Sequence, residues 1–440
     1  MPNPFLPLWE YIPDGEPRVF GDRVYIYGSH DRPGSDSFCN KKLKVWSAPV
    51  SNPTEWVCHG HIFHTTDDTD HKSDTDWAVG NYLYAPDVVE KDGKYYLYAY
   101  IMGAIGCVAV SDRPEGPFKL ISKYKYDFPQ GSIGEIGWFI DPGVLVDDDG
   151  RVYIYCGFEN SFMAELNPDN MYEIIDGTYQ EHIIPVEEPF SFFEACSPRK
   201  IGDTYYMIFM KTGTSCLAYA TSKSPTGPFE YKGHIVDNGA DYPGGNNHGS
   251  ICCINGQWYV FYHRMTNGTI MSRRACVEKI EILPDGTIPQ VEMTSLGFEE
   301  SLNPYKPTPA EIACVLKGDC VITERNIFER PIINIKEGHV IGYKYYDFGE
   351  DYSTKTMQFS ASLRGCGNKG KIHILLDNEN GEEIGLLEFG LSDGVYSCRV
   401  KAVQGRHAIF FKFESAFEGW FRDSVLNRSL CELNEFTFLK

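Results

Sequence analysis

Gly21-Asp22-Arg23-Val24-Tyr25-Ile26-Tyr27, Lys91-Asp92-Gly93-Lys94-Tyr95-Tyr96-Leu97-Tyr98, Asp149-Gly150-Arg151-Val152-Tyr153-Ile154-Tyr155, Gly202-Asp203-Thr204-Tyr205-Tyr206-Met207 and Asn255-Gly256-Gln257-Trp258-Tyr259-Val260-Phe261-Tyr262 repeat one signal five times. Each is a glycine turn running into a β-branched and aromatic strand, the mark of a hairpin. The glycines at 21, 93, 150, 202 and 256 stand 72, 57, 52 and 54 residues apart. That interval holds one four-stranded propeller blade with its loops. Almost continuous apolar strands suit sheets covered on both faces. A second motif, Ser111-Asp112-Arg113-Pro114-Glu115-Gly116-Pro117-Phe118, returns as Ser222-Lys223-Ser224-Pro225-Thr226-Gly227-Pro228-Phe229 and marks outer strands. No sustained helical periodicity appears across residues 1–290. The predicted fold class is all-β: a five-bladed β-propeller domain over residues 1–300, then a second domain over 310–440.

Upstream of each hairpin glycine lies the strand that enters it, and each carries a polar residue. Asp14 precedes Gly21 by 7, Asp87 precedes Gly93 by 6, Asp141 precedes Gly150 by 9, Glu194 precedes Gly202 by 8 and His248 precedes Gly256 by 8. The innermost strand of every blade lines the central channel, so equivalent positions converge on one axis. Asp14, Asp87, Asp141, Glu194 and His248 are therefore expected near one mouth of the channel. Taken singly, each acid is more simply read as a turn cap, Asp87 beside Pro86 above all. Their common register favours a cluster. Two carboxyl groups serve hydrolysis of a glycosidic bond with inversion, one activating water and one protonating the leaving oxygen. A third acid nearby raises the pKa of the proton donor by like-charge repulsion.

Composition agrees with such a site. The net charge of −21, with no basic run, excludes nucleic acid and anionic membrane as main partners and favours a neutral substrate. Aromatic residues make up 14%, as expected of strands and of platforms for sugar rings. The 14 cysteines include no CxxC pair, so a structural zinc site is not indicated and reduced thiols are expected. The N-terminus has no signal-peptide pattern and no stretch approaches 18 apolar residues, so the expected location is cytoplasmic.

Ile12-Pro13-Asp14-Gly15-Glu16-Pro17, Tyr84-Ala85-Pro86-Asp87-Val88-Val89, Phe139-Ile140-Asp141-Pro142-Gly143, Phe192-Phe193-Glu194-Ala195 with Ser197-Pro198-Arg199-Lys200, and Asn246-Asn247-His248-Gly249-Ser250 together resemble glycoside hydrolase family 43, the five-bladed propeller glycosidases. The resemblance spans residues 1 to about 290. It implies an inverting mechanism with Asp14 as general base, Asp141 as the acid that tunes pKa and orients substrate, and Glu194 as general acid. It implies a calcium ion on the propeller axis near His248, held largely through water. It implies an arginine near base and substrate, which is Arg273; Arg274, one residue on, points to the opposite strand face. Where the family often has His before Pro-Asp and Pro after the Asp, Ile12 and Gly15 stand here, and Glu194-Ala195-Cys196 replaces a Glu-Gly/Ala-Pro pattern. These departures bear on the sugar rather than the chemistry. Trp9, Trp77, Trp138 and Phe193 lie beside the motifs, as stacking candidates or as core; Asp87 is a further substrate-binding candidate.

Past the Pro-rich connector Asn303-Pro304-Tyr305-Lys306-Pro307-Thr308-Pro309, alternating runs at Met357–Leu363, Lys371–Leu376 and Ala408–Glu414 predict a β-sandwich. Tyr346-Asp347-Phe348-Gly349, Ile374-Leu375-Leu376-Asp377 and Val403-Gln404-Gly405-Arg406-His407 resemble carbohydrate-binding module family 6, with Tyr396 and Trp420 as candidate stacking residues. The alternative for that domain is a sandwich that only packs on the propeller rim. The expected activity is release of terminal sugars from plant cell-wall oligosaccharides, α-L-arabinofuranosidase first. The alternatives are β-D-xylosidase, β-D-galactofuranosidase and endo-arabinanase. From a different class comes a non-catalytic carbohydrate-binding propeller, which predicts loss of one carboxylate.

Overall fold

The computed structural model describes residues 1–69, 71–103, 106–123, 139–350 and 353–440. Among the described residues, five antiparallel sheets follow one another along 16–280, four of four strands and one of three. Their innermost strands are Glu16–Phe20, Leu83–Lys91, Gly143–Val146, Phe192–Ile201 and Ser250–Ile254. Each is followed by a hairpin into the second strand, and the hairpins turn at the five repeat glycines. All five of these have positive φ, from 58° to 83°. Left-handed backbone costs glycine nothing sterically, which is why a glycine recurs there.

The second strands are buried past their first residues, completely at Val152–Cys156 and along half of Lys94–Ile101, because each blade is covered on both sides by its neighbours. The paired Ser…Gly-Pro-Phe motifs lie between the third and fourth strands of blades 2 and 4. They receive matching latches from the blade before: Tyr27 Oη donates to the Pro114 carbonyl and Tyr155 Oη to the Pro225 carbonyl, both at 2.6 Å.

The three-stranded fifth blade is completed by the N-terminal segment. Phe5 N–H donates to the Ala275 carbonyl at 3.2 Å. Asn3 brackets Val277, accepting from its N–H at 2.9 Å and donating to its carbonyl at 2.8 Å. The beginning of the chain thus closes the ring onto its last blade.

Beyond residue 308 the chain forms a β-sandwich of a six-stranded and a five-stranded sheet. The three sequence-predicted strands are present as Thr356–Gly365, Gly370–Leu376 and Arg406–Ser415. Phe359, Phe411 and Phe436 interlock between the sheets, with centroids 4.8 to 5.9 Å apart. Sandwich and propeller share one apolar core around Ile251, Val260, Ala313 and Val315. Arg264, fully buried, donates to the Ala313 carbonyl at 2.7 Å and the Glu311 carbonyl at 2.9 Å. The cysteines are all free thiols, and among the described residues no helix is long and apolar enough to cross a membrane.

Candidate active site

At one mouth of the channel a cavity of about 280 Å³ is lined by Asp14, Asp141, Glu194, His248 and Arg273, walled by Phe38, Tyr84, Phe158, Phe193 and Ile270. Asp14, Asp141 and His248 each stand two residues before the innermost strand of their blade. The backbone is bent to present them: Asp14 has φ 56° and Asp141 φ 52°. Left-handed conformations at non-glycine residues cost on the order of 1 kcal/mol or more and gather at functional sites; Asp bears them better than most. Glu194 sits inside its strand, where pairing with Thr204–Lys211 slips on both sides of it and Ala195 turns to φ 69°. Such bulges re-aim a side chain off the strand face.

Asp14 is held as a carboxylate. Arg273 Nη1 donates to its Oδ1 at 2.7 Å. Arg273 is itself fixed by Asp31, which accepts from Nε at 2.9 Å, Nη2 at 3.1 Å and the Arg273 backbone N–H at 3.0 Å. The Phe38 ring lies 4.9 Å from the guanidinium. Burial alone would raise the Asp14 pKa, but Arg273, with the protonated His248 behind it, pulls it below the usual carboxylate value. His263 is neutral. Its Nε2 faces the Asn246 carbonyl at 2.9 Å and must donate there, which leaves Nδ1 to accept the Asp14 backbone N–H at 3.3 Å. Burial, reinforced by Arg273, lowers its pKa to about 3.

Glu194 goes the other way. Enclosure of its carboxyl and then repulsion from Asp141 push its pKa up to about 8, so it carries a proton at neutral pH. His248 Nδ1 lies 3.5 Å from Asp141 Oδ2 and 3.9 Å from Asp14 Oδ1. Burial opposes charging that ring, yet Asp141 and Asp14 lift its pKa to about 9. Two carboxyl groups in one pocket thus have opposite protonation, which is the division of labour of an acid–base pair.

The structure brings together four of the five register residues. Asp87 is the exception and is not a substrate-binding residue. It is fully buried below the pocket, where Arg18 Nη2 and Nε donate to it at 2.6 and 3.0 Å and the backbone N–H groups of Val144 and Val88 at 2.8 and 2.7 Å. Its offset of 6, the shortest of the set, carries it past a slip in pairing between Tyr84 and Asp87. Tyr84, 9 residues before Gly93 as Asp141 is before Gly150, takes the blade-2 place at the mouth. Trp77 is also removed from the pocket: it packs on the core between blades 1 and 2 under Lys123, whose Nζ lies 4.2 Å from the ring. Phe193 is in the pocket and meets Phe158 at 5.0 Å. Trp138 lies outside the described residues. Arg273 enters the site, while Arg274 points through the other face of the strand to Tyr11 and Glu311. Residues missed from sequence include Phe38, Asp31 and His263, with Phe158 and Ile270 in the pocket wall. The first two come from the loop after the second strand of blade 1 and carry no repeat signature.

A metal ion finds few protein donors here. Among the described residues no three or more His, Cys, Asp or Glu are arranged to hold one. Glu16 Oε1 is buried with no hydrogen-bond partner, and Glu16 is near enough to His248 to help raise its pKa. Arg199 holds the other Glu16 oxygen at 2.7 Å, so Glu16 Oε1 would be the carboxylate donor to a cation, and His248 could join it only after losing its proton, with water supplying the rest.

The chain belongs to glycosyl hydrolases family 43, whose sequence pattern matches residues 3–288. It is 39% identical to a xylosidase/arabinosidase of Thermoclostridium stercorarium, over 94% of this chain and 96% of that one. It is 27% identical to an arabinoxylan arabinofuranohydrolase of Paenibacillus polymyxa, over 91% of this chain and 70% of that one. The crystal structure of a family 43 arabinoxylan arabinofuranohydrolase from Bacillus subtilis superposes with a TM-score of 0.57 at 24% identity, covering 100% of this chain and 97% of that one, and shares the fold. The protein is a glycoside hydrolase of an inverting family.

Proposed function

We propose that this family 43 hydrolase releases single terminal sugars from arabinose- and xylose-containing oligosaccharides, with α-L-arabinofuranosyl units as first choice and β-D-xylosyl units as second. The observation that carries the reading is the pairing of an ionised Asp14 with a protonated Glu194 in one pocket. Asp14 takes a proton from water, whose oxygen attacks the anomeric carbon. The bond to the leaving oxygen breaks on the opposite face, and Glu194 gives that oxygen its proton. Burial, with Asp141 beside it, keeps Glu194 protonated, and Arg273 orients Asp14. A cavity of about 280 Å³ is at the small end for ligand sites and suits one sugar ring, which supports action on chain ends. The activities after which the Thermoclostridium stercorarium and Paenibacillus polymyxa relatives are named support the choice of sugars.

The test is release of 4-nitrophenol from α-L-arabinofuranoside, β-D-xyloside, β-D-galactofuranoside and α-L-arabinopyranoside, with product configuration followed by NMR. Turnover of the first with an inverted anomer is expected. Retention of configuration, or no turnover of any of the four or of arabinoxylo-oligosaccharides, would remove the proposal.

Phe158 and Phe193 flank Glu194 and offer a stacking wall on the leaving-group side. Phe193→Ala is expected to raise KM for arabinoxylo-oligosaccharides roughly tenfold, the effect of about 1.4 kcal/mol of lost aromatic contact, with little change in kcat. A KM within experimental error of wild type would take Phe193 out of the binding site.

Calcium, when bound, would supply a fixed positive charge on the axis, with Glu16 and a deprotonated His248 as its protein partners and water as the rest. Calcium added to chelator-treated protein is then expected to raise Tm in the wild type by mass action and to lose that effect in Glu16→Gln. Equal responses in the two proteins would place the ion elsewhere.

A further inference from the structure

Behind the base lies a second network, built in part from the sandwich. Tyr11 stands three residues before Asp14. Its hydroxyl donates to Glu324 Oε2 at 2.7 Å and accepts from Arg274 Nη2 at 2.8 Å and Asn267 Nδ2 at 3.2 Å. The Arg274 guanidinium also lies over the Tyr11 ring, 4.7 Å from its centroid. Glu324 belongs to the segment after the strand Val321–Ile322 of the sandwich. Its backbone N–H donates to Asn267 Oδ1 at 2.7 Å, and Asn267 N–H donates to the Ile322 carbonyl at 2.7 Å. Arg330 and Glu311 complete the cluster, paired with each other and each with Arg274 or Glu324.

Two paths from this cluster lead to the base and a third to the pocket wall. The Tyr11 carbonyl accepts the Asp31 backbone N–H at 3.0 Å. Asp31 holds Arg273 by three hydrogen bonds, and Arg273 holds Asp14. Arg274, clamped by Tyr11 and Glu324, is the next residue along the strand from Arg273. The hairpin tip at Asn267, held by the sandwich, leads directly to Ile270 in the pocket wall. Tyr11 is 1% exposed and Arg274 fully buried, so neither can reorient without breaking the contact across the two folds.

We propose that Glu324, from the sandwich, is a positioning residue for the reaction: through Tyr11 and Arg274 it sets the placement of Arg273 and Asp14. This rests on Asp14 being the general base. Catalytic geometry tolerates little displacement, and a shift of about 1 Å costs on the order of a hundredfold in rate. A part-way loosening is expected here.

The experiment compares kcat and KM for Glu324→Gln, Tyr11→Phe and the double variant on the best aryl glycoside, well below each Tm, beside Asp14→Asn. Tyr11→Phe deletes one hydroxyl and keeps the ring, so it guards against a Glu324 variant that does not fold. Each single variant is expected to lose roughly tenfold in kcat with KM changed less than about twofold, and the double variant to lose no more than the worse single one, as coupled residues do. Wild-type kcat in both single variants, or additive losses in the double, overturns the positioning role while an inactive Asp14→Asn leaves the base assignment standing. An active Asp14→Asn removes both.

Discussion

Asp14→Asn is expected to lower kcat/KM on an activated aryl glycoside by about 10³-fold or more, on the order of 4 kcal/mol of transition-state stabilisation. Even with a good leaving group, water must lose its proton, and among the pocket carboxyls Asp14 is the one held ionised by an arginine. The substitution is gentle to the fold. An asparagine side-chain oxygen still accepts from Arg273 Nη1, Arg273 keeps its three bonds to Asp31, and His248 keeps Asp141. The variant should therefore be folded, with a Tm lowered only by what the charge of Asp14 contributes beside Arg273, and inactive. The same ion pair sets the acid side of the pH profile. Asp14 must be ionised to work and its pKa is depressed, so activity falls only as pH drops below the usual carboxylate range. An Asn variant that keeps more than about a tenth of wild-type kcat/KM would mean that water is activated by another group.

The repeat was legible because its causes are local. A glycine turn needs positive φ and a covered strand needs apolar residues, and both leave marks at regular intervals. The register of polar residues was legible for the same reason, and Asp14, Asp141, Glu194 and His248 do meet in one cavity. Asp87 shows the limit of counting. A slip in pairing between Tyr84 and Asp87 moves the side chain to a deeper layer, where Arg18 neutralises it. No periodicity announces such a slip. Trp77 had the right chemistry and neighbourhood, but a core on one side and Lys123 on the other claimed it. Asp31, Phe38 and Glu324 lie in loops or in the second fold. Asp31 and Phe38 reach Arg273, and Glu324 reaches Tyr11 and Arg274, through packing between distant segments, which a single sequence does not display.

Glu194→Gln should separate activity from stability in opposite directions. On natural oligosaccharides, whose leaving oxygen needs a proton, kcat is expected to fall by about 10³-fold. On 4-nitrophenyl glycosides the loss is expected to be far smaller, because a good leaving group departs with little protonation. In the wild type the basic limb of kcat/KM should lie near pH 8, where Glu194 gives up its proton, and in Glu194→Gln that limb should vanish on the aryl substrate. Stability follows from the same shift. Glu194 keeps its proton to about pH 8 in the folded protein, against 4.5 for the group in its ordinary state. Between those values the folded state binds more protons than the unfolded chain, so this group makes folding less favourable as pH rises through the window. Above pH 8 the fold carries the charge beside Asp141 at full cost. A neutral glutamine carries none, so Glu194→Gln should gain stability relative to wild type as pH climbs from 4.5 to 8, by up to a few kcal/mol. Denaturant midpoints of the two proteins at pH 5 and pH 8 measure it. A difference between them that does not change with pH would mean that Glu194 is already ionised in the folded protein, and that the proton for the leaving group comes from elsewhere.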